Sequence, residues 1–140
     1  MSFSHLTLPT RDVQATASFL EQTLGYSRDP APANSPVETV WLNIRHGQQI
    51  HVVFVEDFQV SPFEGEFGRH IAVFQPLEHF PDLRRLLRGL GSEVFDPARP
   101  SPFARFFFRE PINGYVFEVM DSARAGRPEG RPASAPDDER

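Results

Sequence analysis

The chain has 140 residues, enough for one domain with a real core but short for two independent ones. Its 14 basic residues against 19 acidic ones give a formal charge of −5, which leaves no basic footprint for nucleic acid. There is no Cys, and all 14 basic residues are Arg, so thiolate chemistry, disulfides, Schiff bases and a phosphate-loop lysine are excluded. No apolar run approaches the ~20 residues of a membrane span, and no leader is read at the N-terminus. A cytoplasmic location is expected.

The N-terminal stretch SHLTLPT reads as a short strand that His5 opens and Pro9 ends. A helix is predicted over 12–24. Val13, Ala17, Leu20 and Leu24 form its apolar stripe, Asp12 can cap it, and Gly25 can terminate it. VETVWLNIR alternates, with Val40, Leu42 and Ile44 opposing Thr39, Trp41, Asn43 and Arg45. QQIHVVFVE is a continuous β-branched run. Residues 57–69 read as a linker, and FGRHIAVFQP then presents His70 at the mouth of a second apolar strand closed by Pro76. A second helix is predicted from about 81 to 90, with Leu83, Leu86, Leu87 and Leu90 apolar and Gly91 as its stop. SEVFDP, FARFFFRE and YVFEVMD supply three more strands. From 122 onward Pro, Gly, Ala and charge dominate, so 122–140 is expected to be a disordered tail.

These elements repeat. From His5 to Gly25 is 20 positions and from His70 to Gly91 is 21; from His5 to His51 is 46 and from His70 to Glu118 is 48. Gly47 precedes His51 by four residues, as Gly114 precedes Glu118. Four residues of ligand type therefore stand at equivalent places in two β-α-β-β-β units, about 1–57 and 68–121. Parity puts His5 with Thr7, and His70 with Ala72, on the face opposite the bulky apolar residues, so both imidazoles point away from the helices into a concave interior.

The pieces SHLTLPTRDVQATASFLEQTLGY, GQQIHVVFVE, GRHIAVF and FFFREPINGYVFEVMD, spanning residues 3–121, resemble the vicinal oxygen chelate superfamily. That group contains glyoxalase I, extradiol dioxygenases, fosfomycin resistance proteins and methylmalonyl-CoA epimerase. The resemblance implies an α+β fold of tandem β-α-β-β-β modules over 1–121, forming a U-shaped mixed sheet around one divalent metal. Carried over by position, the metal ligands are His5, His70 and Glu118, with His51 either a fourth ligand or part of the pocket wall. Imidazole and carboxylate without thiolate suit Fe(II), Zn, Ni, Co or Mn, and leave positions open for substrate. Glu118, mid-strand between Phe117 and Val119, is costly to bury unpaired, so a metal is its best rationale, and it is also the expected catalytic residue. Trp41, Asn43 and Arg45 are candidates for the substrate wall or for a plain exposed sheet face. Phe106 to Phe108 read as core, and His46 and His79 as solvated.

The resemblance has departures. Glyoxalase I typically has Glu where this chain has His51, and no phosphonate-binding loop of the fosfomycin resistance type is found. The expected function is a metal-dependent glyoxalase- or dioxygenase-type enzyme acting on a small substrate chelated through vicinal oxygens. The alternative is a non-catalytic binding or resistance protein of the same fold. A homodimer is expected, with the metal site either inside one chain or shared between two.

Overall fold

The computed structural model describes residues 3–125. Two β-α-β-β-β modules follow one another. The first comprises β1 (His5–Thr10), α1 (Val13–Leu24), β2 (Ser27–Asp29), β3 (Thr39–Arg45) and β4 (Gln48–Phe54). The second comprises β5 (Ile71–Gln75), a 3-10 turn at Leu77–His79, α2 (Phe80–Gly89), β6 (Glu93–Phe95), β7 (Arg105–Arg109) and β8 (Val116–Asp121). Each module makes a four-stranded mixed sheet, ordered β1-β4-β3-β2 and β5-β8-β7-β6, so the chain is α+β as expected. In both, the first strand pairs parallel with the last and forms an open edge.

Local chemistry sets the element ends. The Asp12 side chain accepts from the Ala15 N–H at the start of α1, and Gly25, at φ 76°, closes its end by donating to Glu21 O. The β3–β4 hairpin turns on His46 and Gly47, both at positive φ, as a two-residue turn with the right twist requires. Pro9 does not end β1 as expected. It lies inside the strand, tolerated because β1 is an edge and the missing N–H breaks no ladder. Strand β2, Ser-Arg-Asp, carries no apolar signature and is held by pairing with β3. On α2, Leu83 and Leu87 are buried, while the expected core residues Leu86 and Leu90 are largely exposed.

A single core fuses the modules on their helix side. Leu8, Leu20, Val40, Leu42, Ile50 and Val52 from the first module pack with Leu83, Leu87, Phe106, Phe108, Phe117 and Val119 from the second. Among the described residues, three side chains of the second module hydrogen-bond across the seam: Tyr115 Oη donates to Pro9 O at 2.7 Å, Asn113 bridges Thr10 and Thr16, and Gln75 Nε2 donates to Leu24 O at 3.1 Å. Of the expected disordered tail, Ser122–Arg124 forms a 3-10 turn, with the Asp121 carboxylate accepting from Ala123 N and the Arg124 guanidinium over Phe103. Residues 126–140 lie outside the described part. No described helix is long and apolar enough to cross a membrane.

Candidate functional site

Because the core occupies one face of each sheet, the opposite faces carry the polar and aromatic residues. In the first module, His51 on β4 pairs directly with Trp41 on β3, and His5 on β1 is its diagonal neighbour, two residues before its partner Thr7. The three rings form a stack: Trp41–His51 at 4.0 Å and 3° from parallel, His51–His5 at 4.0 Å and 12°. The His51 tautomer follows from its neighbours. Gln49 Nε2 donates to Asp29 at 2.8 Å, which leaves Gln49 Oε1 as an acceptor for His51 Nε2–H at 2.9 Å. Burial, with the adjacent His5 a smaller cause, holds the His51 pKa below the usual histidine value, favouring the neutral ring. Imidazole lone pairs lie in the ring plane, so those of two nearly parallel rings run side by side and do not converge on one ion. In this arrangement His51 is a stacking partner of His5, with its Nε2 already engaged.

In the second module, His70 stands one residue before β5, and Glu118 sits on the neighbouring β8. His70 Nδ1 lies 3.1 Å from Gly65 O; a carbonyl only accepts, so the proton is on Nδ1 and the neutral ring presents its lone pair at Nε2. That Nε2 lies 3.5 Å from Glu118 Oε1. Two ligands bound at about 2.1 Å to a common ion, 90–110° apart, are about 3.0–3.4 Å from each other, so the pair is spaced close to that of a shared cation. An imidazole anchored through its other nitrogen to a backbone carbonyl is also the usual support of a metal-bound histidine. The donor set fits a divalent transition metal.

Glu118 has a partner that pattern reading missed. Arg105, at the start of β7 and with its side chain 2% exposed, donates from Nη1 to Glu118 Oε2 at 2.7 Å. Its Nε donates to Ser101 Oγ at 3.0 Å and its Nη2 to Arg99 O at 2.5 Å. Glu66, from the linker, lies 3.7 Å from Arg105 Nη2 and accepts from Ala98 N and Arg99 N. Phe107 is split from its neighbours: Phe106 and Phe108 join the core, while Phe107 stacks on Phe95 and meets the His70 ring edge-on.

Trp41 is thus beside His51, whereas Asn43 and Arg45 are exposed further along β3, where the register shifts between them. His46 and His79 are exposed. Among the described residues, no three His, Cys, Asp or Glu side chains come together as a group able to hold a metal. His5 and His51 lie on one sheet, and Glu118 on the other with His70 just before its edge strand, as two half-sets within one chain. Two surface clefts, of about 180 and 460 Å³, are lined by other residues.

No family model matches the sequence, and no curated protein is significantly similar to it. Solved structures do match. A FosX fosfomycin resistance protein variant from Listeria monocytogenes, complexed with Mn(II) and 1S,2S-dihydroxypropylphosphonic acid, superimposes with a TM-score of 0.68 at 21% identity, over 86% of this chain and 91% of that one. FosX from Mesorhizobium loti gives 0.65 at 19% identity, covering 90% and 98%. The chain shares the fold of these proteins over most of its length. A possible glyoxalase from Bacillus cereus shares this fold with a TM-score of 0.63 at 22% identity, covering 86% and 98%.

Proposed function

We propose that this protein is a divalent-metal-dependent enzyme of the glyoxalase/dioxygenase type, acting as a homodimer on a small substrate that offers two vicinal oxygens. His5 of one copy and His70 with Glu118 of the other would hold the ion. The observation that carries the reading is the opposed pair His70 Nε2 and Glu118 Oε1, 3.5 Å apart, with the other ring nitrogen tied to Gly65 O. Sharing between copies is supported by the separation of the half-sets within one chain, and by the position of β1 and β5 at open sheet edges where a second copy can approach. Mn(II) in the FosX structure supports a divalent ion in this fold.

A bound ion there would supply Lewis acidity toward a pair of substrate oxygens. The chain's own residues set the surroundings. Trp41 and His51 form a flat wall against His5, and Phe107 packs edge-on against His70. Arg105 and Glu66 offset each other formally, so a divalent site with the single carboxylate Glu118 keeps a charge of about +1. A site of that charge favours substrates that bind as anions, such as an enediolate or a catecholate. Among the described residues, the further carboxylate beside Arg105, Glu66, is taken up by two backbone N–H groups, which argues against its use as the base of an orthodox glyoxalase I.

Metal analysis of protein purified without chelators tests the ligand set: about one transition metal per site, lost in His70→Ala and Glu118→Ala variants that keep a cooperative melt. Turnover is then read on methylglyoxal with glutathione, and on catechols with Fe(II) and oxygen. Failure to bind any of Fe, Zn, Ni, Co or Mn ends the metal reading. Metal binding without turnover on any substrate moves the protein to a sequestering role.

A further inference from the structure

The polar contacts around Glu118 close into a ring. Gly65 O accepts from His70 Nδ1, and His70 Nε2 faces Glu118 Oε1. Glu118 Oε2 takes Arg105 Nη1, Arg105 Nη2 approaches Glu66, and Glu66 adjoins Gly65 in sequence. Glu66 and Arg105 are also supported from outside the ring. Glu66 holds the loop before β7 through Ala98 N at 2.7 Å and Arg99 N at 3.0 Å, and that loop returns Arg99 O and Ser101 Oγ to the same guanidinium. A planar fork with all three nitrogens engaged cannot swing, and it occupies one oxygen of Glu118 while leaving the other toward His70.

We propose that Arg105 is a positioning residue, which holds Glu118 so that Oε1 alone is presented beside His70 Nε2 and couples that ligand to the 96–104 loop. The proposal rests on the metal reading above, which makes His70 and Glu118 ligands. It adds that the carboxylate binds through one oxygen, because its second is committed to the fork. It also follows that movement of the loop is transmitted to the ligand through one rigid side chain. A lysine would keep the charge yet offer a single ammonium, unable to reach Glu118, Ser101 and Arg99 O together.

The test uses the full chain with Co(II) as probe, reading affinity by calorimetry, the ligand-field absorption spectrum, and the thermal melt. Arg105→Lys and Arg105→Met should both weaken Co(II) binding about 10–100-fold, the usual effect of losing a partner of a ligand, and both should change the spectrum as Glu118 gains a second free oxygen. Wild-type affinity and spectrum in Arg105→Lys would show that charge alone matters and overturn the positioning role. Should the Arg105 variants fail to fold, Ser101→Ala and Glu66→Gln loosen the fork while leaving it in place; both should shift the spectrum in the same direction, and no change in either overturns the proposal. If wild-type protein takes up no Co(II), the metal reading fails separately. The crystal structure of metal-free Arg105→Lys then decides: Glu118 should have left His70, and an unmoved carboxylate refutes the inference.

Discussion

Trp41 and His51 stack 4.0 Å apart with their rings 3° from parallel, and the same imidazole presents its other face to His5. Sandwiching an imidazole between two rings removes water from both faces, which is why burial comes first among the causes that lower its pKa. Trp41→Ala should therefore raise the His51 pKa back toward the ordinary histidine value near 6.5, as followed by its ring proton shifts in an NMR titration. A pKa unmoved by that substitution would assign the shift to His5 instead.

The same depressed pKa has a consequence for stability. Below about pH 6.5 the unfolded chain protonates His51 while the folded chain resists, so the unfolded state binds more protons and stability falls as pH falls through that window. Urea midpoints measured between about pH 7.5 and 5 should decline, and His51→Asn should flatten the part of the decline that belongs to this ring. A steeper decline in the variant would reverse the sign assigned here.

Tyr115 joins the modules by donating to Pro9 O at 2.7 Å. Its ring lies inside the shared core, stacked 5.7 Å from Phe58. Tyr115→Phe keeps the ring and removes only the hydroxyl, leaving a carbonyl without its partner. The expected cost is about 1–2 kcal/mol in chemical denaturation, with metal content unchanged because the hydroxyl bonds Pro9 O and none of the candidate ligands. Loss of metal in this variant would mean that the seam sets the relation of the two sheets to the site.

Much of this was legible in the sequence. Asp12 and Gly25 bracket α1 as their chemistry dictates, and the parity of His5 with Thr7 placed the imidazoles opposite the core. What was not legible depended on register. Arg105 lies in the run RFFFR, where an arginine reads as a polar strand end. Its meaning emerges only once the 110–115 turn fixes Phe107 opposite Glu118, which makes Arg105 a diagonal neighbour on the same face. Glu66 was hidden for a different reason. A linker has no periodicity, so nothing local says that its carboxylate will reach two N–H groups 32 and 33 residues on. The Trp41–His51 stack was half visible, since β3 alternation offered Trp41 as a wall residue but could not say which ring it would face.

Glu110 holds the β7–β8 turn from inside. Its carboxylate accepts from Ile112 N and Asn113 N, both at 2.8 Å, in a site where only 1% of the residue is exposed. Burial is the leading influence and raises its pKa, opposed by those N–H groups. A raised carboxylate pKa means that stability from this group is fully present below about pH 4.3 and diminishes as pH rises through the folded value, opposite in sense to His51. Glu110→Ala should cost about 2–4 kcal/mol at pH 7 by stranding two buried donors, whereas Glu110→Gln retains a carbonyl acceptor and should cost less. Equal losses in the two variants would show that the charge, and not the acceptor, organises the turn.

The sharing of a site between copies is open to a direct genetic test. A His5→Ala chain keeps His70 and Glu118, and a Glu118→Ala chain keeps His5. Each variant alone should form dimers whose two sites are both broken. Mixed under conditions that allow subunit exchange, half of the dimers become hetero-dimers, and in a two-fold assembly each of these rebuilds one intact site from the undamaged halves. About a quarter of all sites should then regain a tightly bound metal ion, measured on the mixture against each variant alone. If His5, His70 and Glu118 of the same chain served one ion, every site would retain a damaged ligand and mixing would restore nothing. The half-sets on separate sheets, each next to an open edge strand, predict the first outcome.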